Sequence, residues 1–242
     1  MATRFALLAH AYAHRGLWDD DTPENSLSAF RKAASYGFGA ECDVHLSADG
    51  VPMVFHDFSL SRMTGHTAAV SALSAAELSE LCLMSTAEPV PTLTECLAVM
   101  QGAPMLIELK TDPSTDIGAL VEAVLTTIAS HKGPVALMSF SEAAMRNVKR
   151  LSADIMRGLL LEPGQSPNDS QAQSAIRAIE PDFLGPSISD IAGAADFART
   201  VRMPLASWTV RTLEQLNAAR HHNIAPIFEN LPTGLVSTPQ TA

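Results

Sequence analysis

Short apolar runs alternate with helix-patterned stretches along this chain, and that alternation restricts the fold more than any other feature. Strand-like runs fall at Ala11–His14, Gly39–Leu46, Met105–Leu109, Val135–Ser139, Ile155–Leu161, Asp182–Leu184, Leu205–Val210 and Ala225–Phe228. Segments of helical composition lie around 141–150, 169–179, 189–199 and 212–220. Leu27, Phe30 and Ala34 mark an earlier helix face that stops at Gly37. The clearest helix has Ile117, Leu120, Val121, Val124, Leu125 and Ile128 at i, i+3, i+4, i+7, i+8 and i+11, and Gly133-Pro134 ends it. Strands alternating with helices give a parallel sheet, because parallel neighbours need a long crossover between them. Eight such units are what a (β/α)8 TIM barrel requires, and 242 residues is an ordinary length for one.

One stretch breaks the rhythm. Gly39–Leu46 and Val51–His56 read as two strands joined by a tight turn at Ala48-Asp49-Gly50, and the alternation resumes only after about Pro91. The expected architecture is a single barrel domain over residues 1–242 with a small insertion, about 51–91, after the second strand.

The net charge of −10 argues against holding nucleic acid or an anionic membrane by general attraction. A local cationic pocket for one phosphate remains compatible with it. Cys42, Cys82 and Cys96 are sparsely spaced and include no C-x-x-C, which favours free thiols in a reducing compartment over a structural zinc site. The first residues lack the features of a secretory signal, since His10 interrupts a brief apolar stretch. No apolar segment approaches the ~20 residues of a membrane span. The expectation is a cytoplasmic protein with no stable membrane anchor.

Polar motifs stand where strands should end: A-H-R-G at 13–16, E-C-D-V-H at 41–45, F-H-D at 55–57 and I-E-L-K at 107–110. P-E-N-S at 23–26 lies in the loop after the first. Side chains alternate faces along a strand, so Glu41, Asp43 and His45 share one face and Cys42, Val44 and Leu46 the other. Glu108 and Lys110 likewise share a face, opposite Ile107 and Leu109. In a barrel, polar groups near the C-terminal strand ends point into the mouth. Carboxylates crowded there repel one another unless some are protonated or a cation lies between them. An all-oxygen set favours a hard divalent ion, Mg²⁺ or Ca²⁺, over zinc.

His14 ends an apolar strand; Arg15 can clamp a phosphate through paired donors, and Gly16 lets the chain turn away. His56 precedes Asp57, a partner able to fix its tautomer. Two histidines near one phosphate supply a general base and a general acid, because imidazole titrates near neutral pH. Glu24 is close enough in sequence to join the site, although P-E-N-S also makes an ordinary helix start with Asn25 or Ser26 as N-cap. Trp208, near the end of the seventh strand, is either an apolar wall for a small polyol or part of the barrel packing. His10, His66, His131, His221 and His222 have no comparable setting.

Taken in order, these motifs resemble the glycerophosphodiester phosphodiesterase family. The matching pieces are A-H-R-G, P-E-N-S-L-S-A-F, E-C-D-V-H-L-S-A-D-G, V-F-H-D-F-S-L-S-R-M-T-G, P-T-L-T-E-C-L, I-E-L-K and W-T-V, spanning about residues 11–210. The resemblance implies His14 and His56 as the acid/base pair and Glu41, Asp43 and Glu108 as metal ligands. It also puts Arg15 and Lys110 beside the phosphate, with Glu24 in support. The implied reaction is hydrolysis of a small glycerophosphodiester to sn-glycerol 3-phosphate and an alcohol. The chain departs from the family pattern in places. Ser26 replaces the usual threonine, Arg211 stands where asparagine is common, and the last strand ends in F-E-N-L-P, where an aspartate is more usual. That leaves the contacts of Glu229 and Asn230 open. Two other readings compete: cleavage of lysophospholipids or another headgroup diester, and a non-catalytic barrel that binds a phosphorylated ligand.

Overall fold

A computed structural model describes residues 5–236. The expected strands form: β1 (Tyr12–Ala13), β2 (Gly39–Leu46), β3 (Pro52–Val54), β4 (Met105–Leu109), β5 (Val135–Ser139), β6 (Met156–Leu160), β7 (Phe183–Gly185), β8 (Ala206–Val210) and β9 (Ala225–Phe228). All except β3 run parallel in the order β7-β6-β5-β4-β2-β1-β9-β8. Parallel bridges Leu184↔Leu205 and Ser187↔Trp208 join β7 to β8. The result is a nearly closed eight-stranded barrel with helices between its strands.

The helices are α1 (Leu27–Ser35), α2 (Ser61–Thr64), α3 (Ala75–Ser79), α4 (Leu93–Val99), α5 (Ile117–Ile128), α6 (Glu142–Leu151), α7 (Ser170–Ile179), α8 (Ile191–Val201) and α9 (Leu213–His221). Most of the longer ones start at a side chain that satisfies a free backbone N–H: Ser26 for α1, Thr92 for α4, Asp116 for α5, Ser141 for α6 and Thr212 for α9. No helix among the described residues is long and apolar enough to cross a membrane.

Strand alternation divides the core into two layers. Ala40, Cys42 and Val44 of β2, with Met105, Ile107 and Leu109 of β4, pack outward against the helices. Tyr12, Leu106, Ala136, Leu160, Phe183 and Ile227 point inward and fill the lumen. Two aromatics fit there because each faces a glycine in register, Tyr12 opposite Gly39 and Phe183 opposite Gly158. A Cβ on Gly39 would lie 2.6 Å from the Tyr12 ring, and one on Gly158 would overlap the Phe183 ring. A 3-10 turn at Leu7–Ala9 packs on this layer from below and accepts a hydrogen bond from the Tyr12 hydroxyl at 3.0 Å. The barrel is therefore plugged at the end where the strands begin.

β3 pairs antiparallel with β2, Val44 opposite Val54 and Leu46 opposite Pro52. It is shorter than the expected 51–56 strand: the Phe55 N–H still donates to the Asp43 carbonyl at 3.0 Å, while the alternate Val54 N–H faces the other way and donates to the Pro91 carbonyl. The segment that follows carries α2 and α3 around an apolar cluster of its own, including Phe55, Leu60, Met63, Leu78 and Leu83.

Candidate active site

Strand register brings the chemistry together. Asp43 on β2 lies directly opposite Glu108 on β4. Ala13 on β1 pairs with Ala40 on one side and Phe228 on the other, so the next residues, His14, Glu41 and Glu229, emerge at one level of the rim. Glu41, Asp43 and Glu108 offer carboxylate oxygens that all lie within 4.8 Å of one another, and all three residues are buried. Around them opens a cavity of about 360 Å³, lined by His14, Arg15, His56, Lys110, Phe140, Trp208 and Arg211 among others. A larger groove of about 1150 Å³ runs over the opposite end of the barrel, beside Phe5–Ala9 and the strand starts, and contains no histidine.

Each proposed acid/base histidine is braced from behind. His14 Nδ1 lies 2.5 Å from Glu229 Oε2, and His56 Nδ1 lies 2.6 Å from Asp57 Oδ1. Glu229 and Asp57 are each held down to about 2. For both, burial pushes upward, and hydrogen bonds with charge attraction from His14 and Arg211, or from Arg62 and His56, overcome it. An ionised carboxylate only accepts, so Nδ1 of each ring donates and Nε2 is the nitrogen left over. Burial lowers the pKa of His56, against the pull of Asp43.

The cations sit among the acids. Lys110 Nζ is 2.8 Å from Glu108 Oε1 and 3.3 Å from Asp43 Oδ1. Arg15 donates its backbone N–H to Glu41 at 3.0 Å and its Nη1 to Glu24 at 2.9 Å, while its buried Nε makes no hydrogen bond among the described residues. Burial pushes Asp43 up, but Lys110, His56 and Arg15 together hold it well below the usual carboxylate range. Glu41 goes the other way: burial, then repulsion from Asp43 and Glu108, raises it well above 4.5. Glu108 is pushed up to about 7 by burial and Asp43, against Lys110. Lys110 itself is raised, since Asp43 and Glu108 outweigh its burial. Buried, all-oxygen and mutually repelling, this donor set fits a hard divalent cation.

The structure brings nearly every expected site residue to this cavity. Trp208 forms part of its wall, with its ring edge-on to Phe140 at 5.4 Å and its indole N–H donated to the Gly185 carbonyl at 2.9 Å. Glu24 stands behind Arg15, outside the cavity lining, with its oxygens engaged by Arg15 at 2.9 Å and by Arg62 Nη2 at 2.7 Å. His45 shares the β2 face but stands outside the acidic trio; its Nε2 lies 3.2 Å from the His56 carbonyl, its ring lies edge-on to Phe58, and burial lowers it to about 4.

Four contributors escaped the sequence reading. Asn25 donates to Asp43 Oδ2 at 3.0 Å, besides preceding the N-cap Ser26. Arg62 binds Asp57, Arg211 binds Glu229, and Glu229 binds His14. Glu229 had a usable signal, a carboxylate at the C-terminal end of the last strand.

Comparison with known proteins agrees with this geometry. Residues 14–233 match the Glycerophosphoryl diester phosphodiesterase family. A probable glycerophosphodiester phosphodiesterase 2 from Mycobacterium tuberculosis is 32% identical over 142 residues, covering 58% of this chain and 52% of that protein. A glycerophosphodiester phosphodiesterase from Caldanaerobacter subterraneus subsp. tengcongensis is 27% identical over 162 residues, 63% of this chain and 66% of that one. The chain thus spans between half and two thirds of these curated relatives. An Oleispira antarctica phosphodiesterase, solved with the product sn-glycerol-3-phosphate, superposes with a TM-score of 0.83 at 25% identity, covering 93% of this chain and 94% of that one. With its family match running from His14 past the end of the last strand, this chain belongs to the glycerophosphoryl diester phosphodiesterase family.

Proposed function

We propose that this protein hydrolyses glycerophosphodiesters to sn-glycerol 3-phosphate and an alcohol, with Mg²⁺ or Ca²⁺ held by Glu41, Asp43 and Glu108. One observation carries the reading: three clustered buried carboxylates, of which Asp43 and Glu108 line the cavity and Glu41 lies 4.0 Å from His14 Nε2, adjoin two carboxylate-braced histidines and the cations Arg15 and Lys110. The product bound to the Oleispira antarctica relative supports the same substrate class. The cavity, at about 360 Å³, suits a small soluble diester.

When bound, the cation supplies Lewis-acid polarisation of a phosphoryl oxygen. Arg15, whose Nε lies 3.5 Å from Asp43 Oδ2, and Lys110 bring fixed positive charge to the equatorial oxygens whose charge grows in the transition state. His14 and His56 have Nδ1 committed to Glu229 and Asp57, so each works through Nε2. One accepts the proton of the nucleophile, either water or the glycerol hydroxyl next to the phosphate. The other donates a proton to the alcohol oxygen as its bond to phosphorus breaks. Trp208 and Phe140 wall off the polyol side and limit stray water. The free cysteines Cys42, Cys82 and Cys96 support a reducing, cytoplasmic setting.

The deciding experiment follows glycerol 3-phosphate released from a panel of glycerophosphodiesters with Mg²⁺, with Ca²⁺ and with chelator. Release should require a divalent ion, and His14→Ala or His56→Ala should each lower kcat by about 100- to 10,000-fold. No release with either ion, or near-wild-type turnover in both variants, would refute the reading.

A further inference from the structure

The brace behind His14 is anchored two residues deep, and the anchor is built into the rim. Val210 on β8 pairs with Phe228 on β9, which pairs in turn with Ala13 on β1. The first residues beyond these positions are Arg211, Glu229 and His14, so three adjacent strands deliver them side by side. Glu229 divides its carboxylate between the other two: Oε2 meets His14 Nδ1 at 2.5 Å, and Oε1 accepts from Arg211 Nε at 2.6 Å. With both oxygens engaged, the carboxylate cannot rotate without losing one partner. Arg211 is fixed in its turn, because its backbone N–H donates to Gln215 Oε1 at 2.7 Å, within the capping box that starts α9. A continuous chain of contacts therefore runs from the first turn of α9 through Arg211 and Glu229 to the imidazole.

His56 has the same arrangement made from unrelated parts: Asp57 Oδ1 meets its Nδ1, and Arg62 Nε donates to Asp57 Oδ2 at 2.6 Å. The His–carboxylate–Arg pattern thus occurs twice, once on each histidine lining the cavity. Stability alone is a poor account of it for Arg211, whose side chain is 54% exposed; ion pairs of exposed arginines contribute little to folding. Its orientation matters more.

We propose that Arg211 and Glu229 form a positioning pair for His14, holding the imidazole with Nδ1 protonated and Nε2 aimed into the cavity. Neither residue is a catalytic residue in this scheme; both act through the ring. The inference rests on His14 being one of the two acid/base groups.

The test combines steady-state kinetics with ¹⁵N NMR of the histidine rings in the full chain, with His14 assigned by comparison with His14→Gln. Arg211→Ala and Glu229→Gln should each lower kcat by about 10- to 100-fold with KM held within about twofold. The wild-type His14 ring should give the Nδ1–H tautomer pattern, and both variants should lose it. Arg211→Lys, which restores a cation to Glu229, should recover most of the lost kcat and the tautomer pattern. Unchanged kcat in Arg211→Ala, a loss confined to KM, or a His14 pattern identical in all variants would overturn the proposal. Arg211→Ala alters a half-exposed side chain and keeps the test valid if Glu229→Gln fails to fold. Should the wild-type protein release no glycerol 3-phosphate, the proposed function fails, and the NMR comparison still judges the pair.

Discussion

Glu41 carries the most costly charge in the site. It is buried, Asp43 and Glu108 press on it, and among side-chain and backbone groups its hydrogen bond comes from the Arg15 N–H at 3.0 Å. Its pKa in the folded protein is raised above the ordinary 4.5, so the native state binds that proton more tightly than the unfolded chain does. Metal-free stability is therefore fullest below that value and is lost as the pH rises through the folded pKa. Glu41→Gln keeps an acceptor for Arg15 and removes the charge. The metal-free variant should melt higher than wild type at pH 8, by about 2–4 °C for each kcal/mol relieved, with no gain at pH 4. Under the proposed function, Mg²⁺ or Ca²⁺ should raise the melting temperature of the wild type and not that of the variant. Calorimetry with and without Mg²⁺ checks this, and a lower metal-free melting temperature at pH 8 would contradict it. At this scale the sequence was most readable where strand alternation governs: Glu41, Asp43, Glu108 and Lys110 could be assigned a face from their spacing alone. Glu24, Arg62 and Arg211 could not, because their partners are brought in by loops and capping turns whose paths follow from tertiary packing.

Gly158 and Phe183 illustrate how one element sets the room available to its neighbour. They are register partners on β6 and β7, and the Phe183 ring occupies the space a Cβ on Gly158 would need. Gly158→Ala should destabilise the protein by about 1–3 kcal/mol through overpacking, read as a lower midpoint in urea. Metal affinity should be unchanged, since the acidic trio lies on β2 and β4. Element positions were legible wherever hydrophobic period was strong: the helix expected from Ile117 to Ile128 forms over those residues. The hairpin strand expected to reach His56 is regular only to Val54, with one more bond to β2 from the Phe55 N–H, and its outer edge is taken by the Pro91 carbonyl. Apolar pattern marks residues that prefer to be covered, but it does not record which carbonyl a given N–H finds.

At the scale of the whole molecule, the barrel and the segment after β3 each have their own apolar cluster, and the site needs both. The segment supplies His56, Asp57 and Arg62; Arg62 reaches back to Glu24 at 2.7 Å, and Glu24 holds Arg15. We propose that barrel and insertion fold as one unit with Arg62 as a main tie. Arg62→Ala should then speed amide exchange across residues 52–65 and lower kcat, with β4, β5 and β6 still protected. Hydrogen-exchange mass spectrometry reads this directly, and unchanged exchange in that segment would remove Arg62 from the role.

The filled lumen has a consequence for traffic. Tyr12 and Phe183 block the shaft, and the Leu7–Ala9 turn packs beneath it, so no tunnel leads to the far side. Among the described residues the acidic trio is therefore reached from the rim alone, and under the proposed activity diester and both products share that opening.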